Sequence, residues 1–195
     1  MKTMRHILLF AASLILLSAC QDIQENVLTA KDLAIIPQPA ELYLEAGSFS
    51  LNDRTLVFCN QNELVPVAEQ LNEKIGDALG YKLKITEGSG KGLNLVQLEA
   101  ANEALGDEGY KLKVTPRNIE IAANTAQGVF YGIQTLLQLL PPEVKSSSIQ
   151  QGVSWEIACV EIEDKPRFPW RGLMLDVSRH FFTKEEVKAY IYQLA

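Results

Sequence analysis

One stretch constrains the fold of this chain more than any other: residues 126–142, AQGVFYGIQTLLQLLPP. Val129, Phe130, Ile133, Leu136, Leu137 and Leu140 recur at three- and four-residue steps, the spacing of a helix with a broad apolar face. Asn124 or Thr125 suits its N-cap, and Pro141-Pro142 end it. Gly128 and Gly132 each cost a helix about 1 kcal/mol relative to alanine. Four residues apart, they present one smooth patch, so a close approach to a sheet or a neighbouring domain is the reason for them. A face this wide must lie on another layer of structure.

The other layer is legible upstream. Ile36-Pro37-Gln38-Pro39 bars a helix at the start of the folded part. Apolar and polar residues then alternate loosely through Leu42, Leu44, Phe49, Leu51 and Val57, as in short strands. Leu64, Ala68, Leu71, Ile75 and Leu79 switch to helical period, and Gly80 follows where a C′ glycine stops a helix. Tyr81, Leu83 and Ile85 alternate again, and Leu93–Leu98 is another strand. Residues 88–92, GSGKG, make a turn; no Gly-Lys-Ser/Thr ends it, so it is not a phosphate loop. Tyr110, Leu112 and Val114, then Pro116-Arg117-Asn118, then Ile119 and Ile121 predict a hairpin. The expectation is an α+β domain, two helices on one face of a mostly antiparallel sheet, with no catalytic clustering of His, Asp, Glu or Ser. Residues 145–152, KSSSIQQG, read as a linker.

The C-terminal segment differs. After Pro166 and Pro169, Gly172–Val177 is a nearly continuous apolar run, suited to a strand buried on both faces. Asp176, Ser178, Arg179 and His180 crowd its C-terminal end. Thr183 and Glu186 form a capping box, and Val187, Tyr190, Ile191 and Leu194 mark a helix face. Strand, short loop, helix is one βα unit. In a (β/α)₈ barrel, functional residues gather at the C-terminal ends of strands, where Arg179 and His180 fall. Arg171, at the other end, is expected to make a structural ion pair, between domains or at the barrel bottom. Only 26 residues remain from Trp170 to Ala195, against about 250 for a barrel. The expectation is the N-terminal part of a longer protein.

At the other terminus, Lys2 and Arg5 precede an apolar run, Ile7–Leu17, too short to span a bilayer and suited to a signal peptide. Leu17-Ser18-Ala19-Cys20 resembles the lipobox of bacterial lipoproteins. The resemblance implies cleavage before Cys20, its acylation, export, and anchorage to the periplasmic or cell-surface side of a membrane through lipid. Cys59 and Cys159 sit in apolar stretches, which favours buried free thiols over a bridge. With 18 Lys and Arg against 24 Asp and Glu, a net charge of −6 argues against a nucleic-acid partner.

Ile36-Pro37-Gln38-Pro39, Asp107–Leu112 (DEGYKL), Gly128–Leu140 and Asp164–Phe182 together resemble the family 20 glycoside hydrolases, the β-N-acetylhexosaminidases. The resemblance covers about residues 35–195. It implies an N-terminal domain followed by the first βα unit of a TIM barrel, and a glycan substrate ending in β-GlcNAc or β-GalNAc. It implies neither cofactor nor metal. The family's chemistry is substrate-assisted and retaining: the 2-acetamido oxygen attacks the anomeric carbon, one carboxylate orients it, and a glutamic acid protonates the leaving oxygen. That Asp-Glu pair has no counterpart here, since Asp107-Glu108 lies in the small domain, so no catalytic residue is expected in these 195 residues. The family's sugar-binding arginine in the Ser-Arg-His-Phe stretch corresponds to Arg179, whose fork of donors suits adjacent hydroxyls. His180 is expected to support the site by packing and hydrogen bonding, and Asp176 either to orient Arg179 or to face the site. The expected divisions are 1–19 signal peptide, 20–34 tether, 35–145 N-terminal domain, 146–163 linker and 164–195 barrel start. A non-catalytic carbohydrate-binding or scaffold lipoprotein is the competing reading; the O-GlcNAc hydrolases fit the first barrel strand less well.

Overall fold

The computed structural model describes residues 33–97, 102–192 and 194. The segment expected to be a signal peptide, with Cys20, lies outside the described residues. Seven strands form one mixed sheet in the order β1-β7-β5-β6-β4-β2-β3. The strands are β1 (Glu41–Ser50), β2 (Leu56–Cys59), β3 (Lys84–Glu87), β4 (Gly92–Gln97), β5 (Tyr110–Val114), β6 (Ile119–Ala123) and β7 (Glu156–Asp164). Among the described residues three α-helices accompany them: α1 (Val65–Leu79), α2 (Ala126–Leu139) and α3 (Lys184–Tyr192).

The α+β class and the two packed helices match expectation, and the sheet is more evenly mixed than expected. β2 runs parallel to both β3 and β4, and β4 runs parallel to β6, while β5–β6, β5–β7 and β1–β7 are antiparallel. The reason is connectivity. The chain leaves β2, crosses through α1 and returns in the same direction as β3, as a helical crossover demands. Strand alternation looks the same in either pairing, so period alone does not reveal direction. In the parallel half, β4 is buried on both faces at Leu93, Asn94 and Leu95, as covered parallel strands are. Buried Asn94 is satisfied: its amide donates to the Gly90 carbonyl at 3.0 Å and its Oδ1 accepts from the Gly90 N–H at 2.9 Å. Asn72 of α1 likewise accepts from Leu83 N at 2.8 Å and donates to its carbonyl at 2.9 Å, stitching the helix to the approach of β3.

The helix boundaries follow their signals. Gly80 closes α1 with φ 77° and donates to the Gly76 carbonyl; the left-handed turn is where glycine is favoured. Thr125 caps α2, its side chain accepting from Gly128 N. The glycine pair of α2 has the packing role expected of it. A methyl on Gly128 would meet the Gly109 carbonyl oxygen at 2.5 Å, and one on Gly132 would run into the Ile121 side chain and the Tyr110 ring. The helix therefore sits directly on β5 and β6.

The main correction concerns the expected linker, 146–163. Residues 156–164 are β7, hydrogen-bonded between β1 and β5. The sheet thus runs to Asp164, well past Lys145. The preceding residues are also tied down: Gln150 N donates to the Ala78 carbonyl at 2.9 Å. β7 buries Ile157, Cys159, Val160 and Ile162 and exposes Glu161, and Lys111–Glu163 and Lys113–Glu161 pair across β5 and β7 at 2.8 and 3.0 Å. Where β5 meets β7, the outer side of the sheet is therefore charged. Cys59 and Cys159 are both buried free thiols, as read, and burial raises both pKa values.

The second correction is the barrel strand. Gly172–Val177 takes no strand pairing, and Leu173, Met174 and Val177 are exposed. A doubly buried strand needs a neighbour on each side, and none is present among the described residues. The helix that follows does form. Thr183 N donates to Glu186 Oε2 at 2.7 Å and Glu186 N to Thr183 Oγ1 at 3.3 Å, the expected capping box. Its apolar stripe buries nothing.

Candidate functional site

The residues of interest lie on the segment that leaves β7. It is pinned to the domain twice before it runs free. Lys165 Nζ donates to the Ala104 carbonyl at 2.8 Å. Six residues on, both Nη atoms of Arg171 donate to the Glu108 carboxylate, each at 2.9 Å. Arg171 also donates to Tyr131 Oη at 2.8 Å and stands 5.5 Å from the centroid of that ring. Its Nη1 reaches back to the Phe168 carbonyl at 2.5 Å. The guanidinium holds the Glu108 carboxyl below its ordinary pKa, chiefly through these hydrogen bonds, and the carboxylate in turn raises that of Arg171. The structural ion pair expected of Arg171 is therefore present, and it is made to the N-terminal domain. Glu108 and Tyr131 were not singled out as its partners by spacing or composition.

Beneath this clamp a cleft of about 710 Å³ opens between α2, the start of β1 and the departing segment. Tyr110 and Thr135 hydroxyls meet in it at 2.5 Å, and Tyr110 also reaches Asp164 Oδ2 at 3.5 Å. Burial drives the Tyr110 pKa well above its ordinary value. Asp164 Oδ1 accepts from Ala40 N at 3.0 Å, and Gln138 Oε1 accepts from Ile36 N at 2.8 Å. These polar groups are satisfied by one another, so the cleft is a seam where the chain changes domain.

Past the clamp, the sequence-read site residues are in the open. Asp176 Oδ1 accepts from Ser178 N at 2.8 Å and from its hydroxyl at 2.6 Å. These bonds, the hydroxyl's first, lower the Asp176 pKa. Its carboxylate thus shapes the local turn and does not bond Arg179. Arg179 and His180 are exposed, and among the described residues neither side chain makes a hydrogen bond. No group of three His, Cys, Asp or Glu is placed to hold a metal among the described residues. Nor is any described helix long and apolar enough to cross a membrane.

A mixed sheet carrying two helices is thus joined, through a clamp, to a segment whose sequence reads as a first barrel strand but which takes no strand pairing among the described residues. Two family models match in that order: glycosyl hydrolase family 20, domain 2, over residues 32–165, and glycosyl hydrolase family 20, catalytic domain, over residues 168–195. The chain belongs to glycosyl hydrolase family 20. It is 38% identical over 162 residues to the β-hexosaminidase of Porphyromonas gingivalis, an alignment covering 83% of this chain and 21% of that protein. The β-N-acetylhexosaminidase of Cellulomonas fimi is 34% identical over 84% of this chain and 32% of its own length. In structure it is similar to a mutant Streptomyces plicatus β-hexosaminidase in complex with its product GlcNAc, at TM-score 0.75 and 39% identity, covering 82% of this chain and 32% of that one. The chain therefore spans between a fifth and a third of the length of these three relatives.

Proposed function

We propose that this chain is the N-terminal part of an exo-acting β-N-acetylhexosaminidase that removes terminal, non-reducing β-linked GlcNAc or GalNAc. One observation carries the reading: a family 20 domain 2 is followed, two residues later, by the opening of a family 20 catalytic domain. The relatives aligned along most of the chain are β-hexosaminidases, and one solved neighbour holds GlcNAc.

In this reading the chemistry is retaining and substrate-assisted. The acetamido oxygen of the sugar displaces the leaving group, and water then opens the cyclic intermediate with net retention. The carboxylates that orient and protonate belong to later barrel strands. Arg179 is the contribution of this chain: its guanidinium donates to hydroxyls of the terminal sugar and holds the ring while it distorts. His180 supports that arginine. Cys20 carries the lipid that tethers the exported enzyme to a membrane, so the substrate is met outside the cytoplasm.

Kinetics on the longer enzyme with a nitrophenyl β-GlcNAc substrate test the reading. Arg179→Ala is expected to lower kcat/KM by at least about 10-fold to 100-fold, the loss of even one charge-assisted hydrogen bond at about 1.5–3 kcal/mol. Wild-type-like kcat/KM in that variant sinks the role of Arg179, and absence of any turnover by the wild type sinks the hydrolase reading. Radiolabelled palmitate is expected to enter the wild type and not Cys20→Ala; equal labelling removes the anchor.

A further inference from the structure

We infer that Glu108 and Tyr131 are positioning residues for the sugar site, acting through Arg171 to aim the strand that ends at Arg179. This rests on the hydrolase reading above.

The clamp is more elaborate than joining two domains requires. Arg171 receives a two-pronged carboxylate from the loop before β5, a hydroxyl and a ring face from α2, and the Phe168 carbonyl from its own segment. Each partner constrains a different degree of freedom. The forked carboxylate fixes the plane of the guanidinium, the ring fixes the side from which it is approached, and the carbonyl fixes the local chain. The anchors are themselves rigid. Tyr131 sits on α2, which Gly128 and Gly132 let down directly onto β5 and β6, and Gln127 donates to Glu108 Oε1 at 2.7 Å. Arg171 is the last residue so held; Gly172–Met174, immediately beyond it, are exposed.

Arg179 lies eight residues further along. In an extended strand that is about 26 Å, at roughly 3.3 Å per residue. A clamp at one end of a barrel strand sets its register and tilt, and so the position of the side chain at the other end. Neither Glu108 nor Tyr131 touches sugar in this arrangement. The domain contributes to the site by holding its first strand in register.

Trypsin tests the clamp on the 195-residue chain, because the protease must take the arginine side chain into its own pocket. Cleavage after Arg171 is compared with cleavage after exposed Arg179 in the same sample. Glu108→Gln and Tyr131→Phe are expected to raise the Arg171-to-Arg179 ratio by about 3-fold to 10-fold, the range of an exposed but bidentate pair. Circular dichroism checks that both variants stay folded. An unchanged ratio in both overturns the clamp.

The positioning role is tested in the longer enzyme. Glu108→Gln is expected to raise KM about 3-fold to 10-fold with a smaller fall in kcat, because a misaimed Arg179 loses hydroxyl contacts already made in the ground state. Partial unfolding alone lowers kcat, through the active fraction, and leaves KM in place. A KM unchanged in Glu108→Gln overturns the positioning role even where the trypsin ratio rises. An inactive wild type instead sinks the hydrolase reading, while the trypsin result still decides the clamp.

Discussion

Residues 33–165 and residues 166–194 are built from similar material and end in opposite states. In the first, Leu93, Leu95 and Leu112 are at most 1% exposed; in the second, Leu173, Met174 and Phe181 are 64%, 90% and 89% exposed. Both regions carry strand-like sequence. The difference lies in what each strand has beside it. β4 finds β2 and β6 on its two edges, whereas 172–177 finds no neighbour among the described residues. Alternating strands need one covered face, but a continuous apolar run needs two. The sequence best suited to a barrel interior is thus the one least able to form a strand alone.

The sharpest way to break this comparison is to take a neighbour from the packed region. A chain ended at Lys145 lacks β7, which joins β1 to the rest of the sheet and covers the edge of β5. Residues 33–145 are expected to lose cooperative unfolding, while 33–165 keep it. A thermal melt followed by circular dichroism decides, and a cooperative melt of the shorter chain would show that β7 is dispensable.

Single side chains give smaller effects on the same axis. Leu112 is fully buried on β5, and Leu112→Ala is expected to cost about 2–5 kcal/mol. Gly132→Ala overpacks α2 against Ile121 and Tyr110 and is expected to cost about 1–3 kcal/mol. Gly172 has nothing within 4 Å of an added methyl, so Gly172→Ala in the departing segment leaves the denaturation midpoint where it was. Urea titrations of the three variants report this ranking, and equal costs for the two glycines would erase the distinction between the regions.

What the sequence makes legible follows from the same physics. Local periodicity marks both packed helices, Gly80, the Thr125 cap and the β5–β6 hairpin, because each is a near-neighbour matter. β7 escapes because its partners lie far off in sequence: Ile162 pairs with both Leu42 and Leu112, which no window of residues displays. The parallel half of the sheet escapes because alternation carries no direction. At the candidate site, the expectation of an ion pair at Arg171 comes from its place before the apolar run. Its partners were hidden: Glu108 sits 63 residues back in a loop, within a DEGYKL segment noted only for its resemblance.

Titration separates the regions more gently. Burial raises the Tyr110 pKa in the folded domain, so folding favours the neutral phenol. The contribution is fully present below the unfolded value near pH 10 and is lost as pH rises through the folded value. Above about pH 10 the domain is expected to lose about 1.4 kcal/mol per pH unit from this residue. Buried Cys59 and Cys159, also raised, act in the same direction from lower pH. Tyr110→Phe costs about 1 kcal/mol at neutral pH by unpairing Thr135, and its stability should fall less steeply in alkali. Parallel curves for wild type and variant would mean that Tyr110 titrates as it does in the unfolded chain.

The smallest effect is expected where the exposure is greatest. Met174 is 90% exposed and Phe181 89%, so neither contributes buried apolar area to the fold. Met174→Ser and Phe181→Ser should therefore leave the melting temperature of the 195-residue chain unchanged, in contrast to Leu112→Ala. They should instead raise its solubility, since Phe168, Trp170, Leu173, Met174 and Phe181 crowd large apolar side chains into one exposed segment. Light scattering against protein concentration reads the second effect, and calorimetry the first. A fall in melting temperature of several degrees on Met174→Ser would mean that the departing segment packs on the domain in solution. The contrast between the two regions would then be one of degree, with the segment partly folded against the domain.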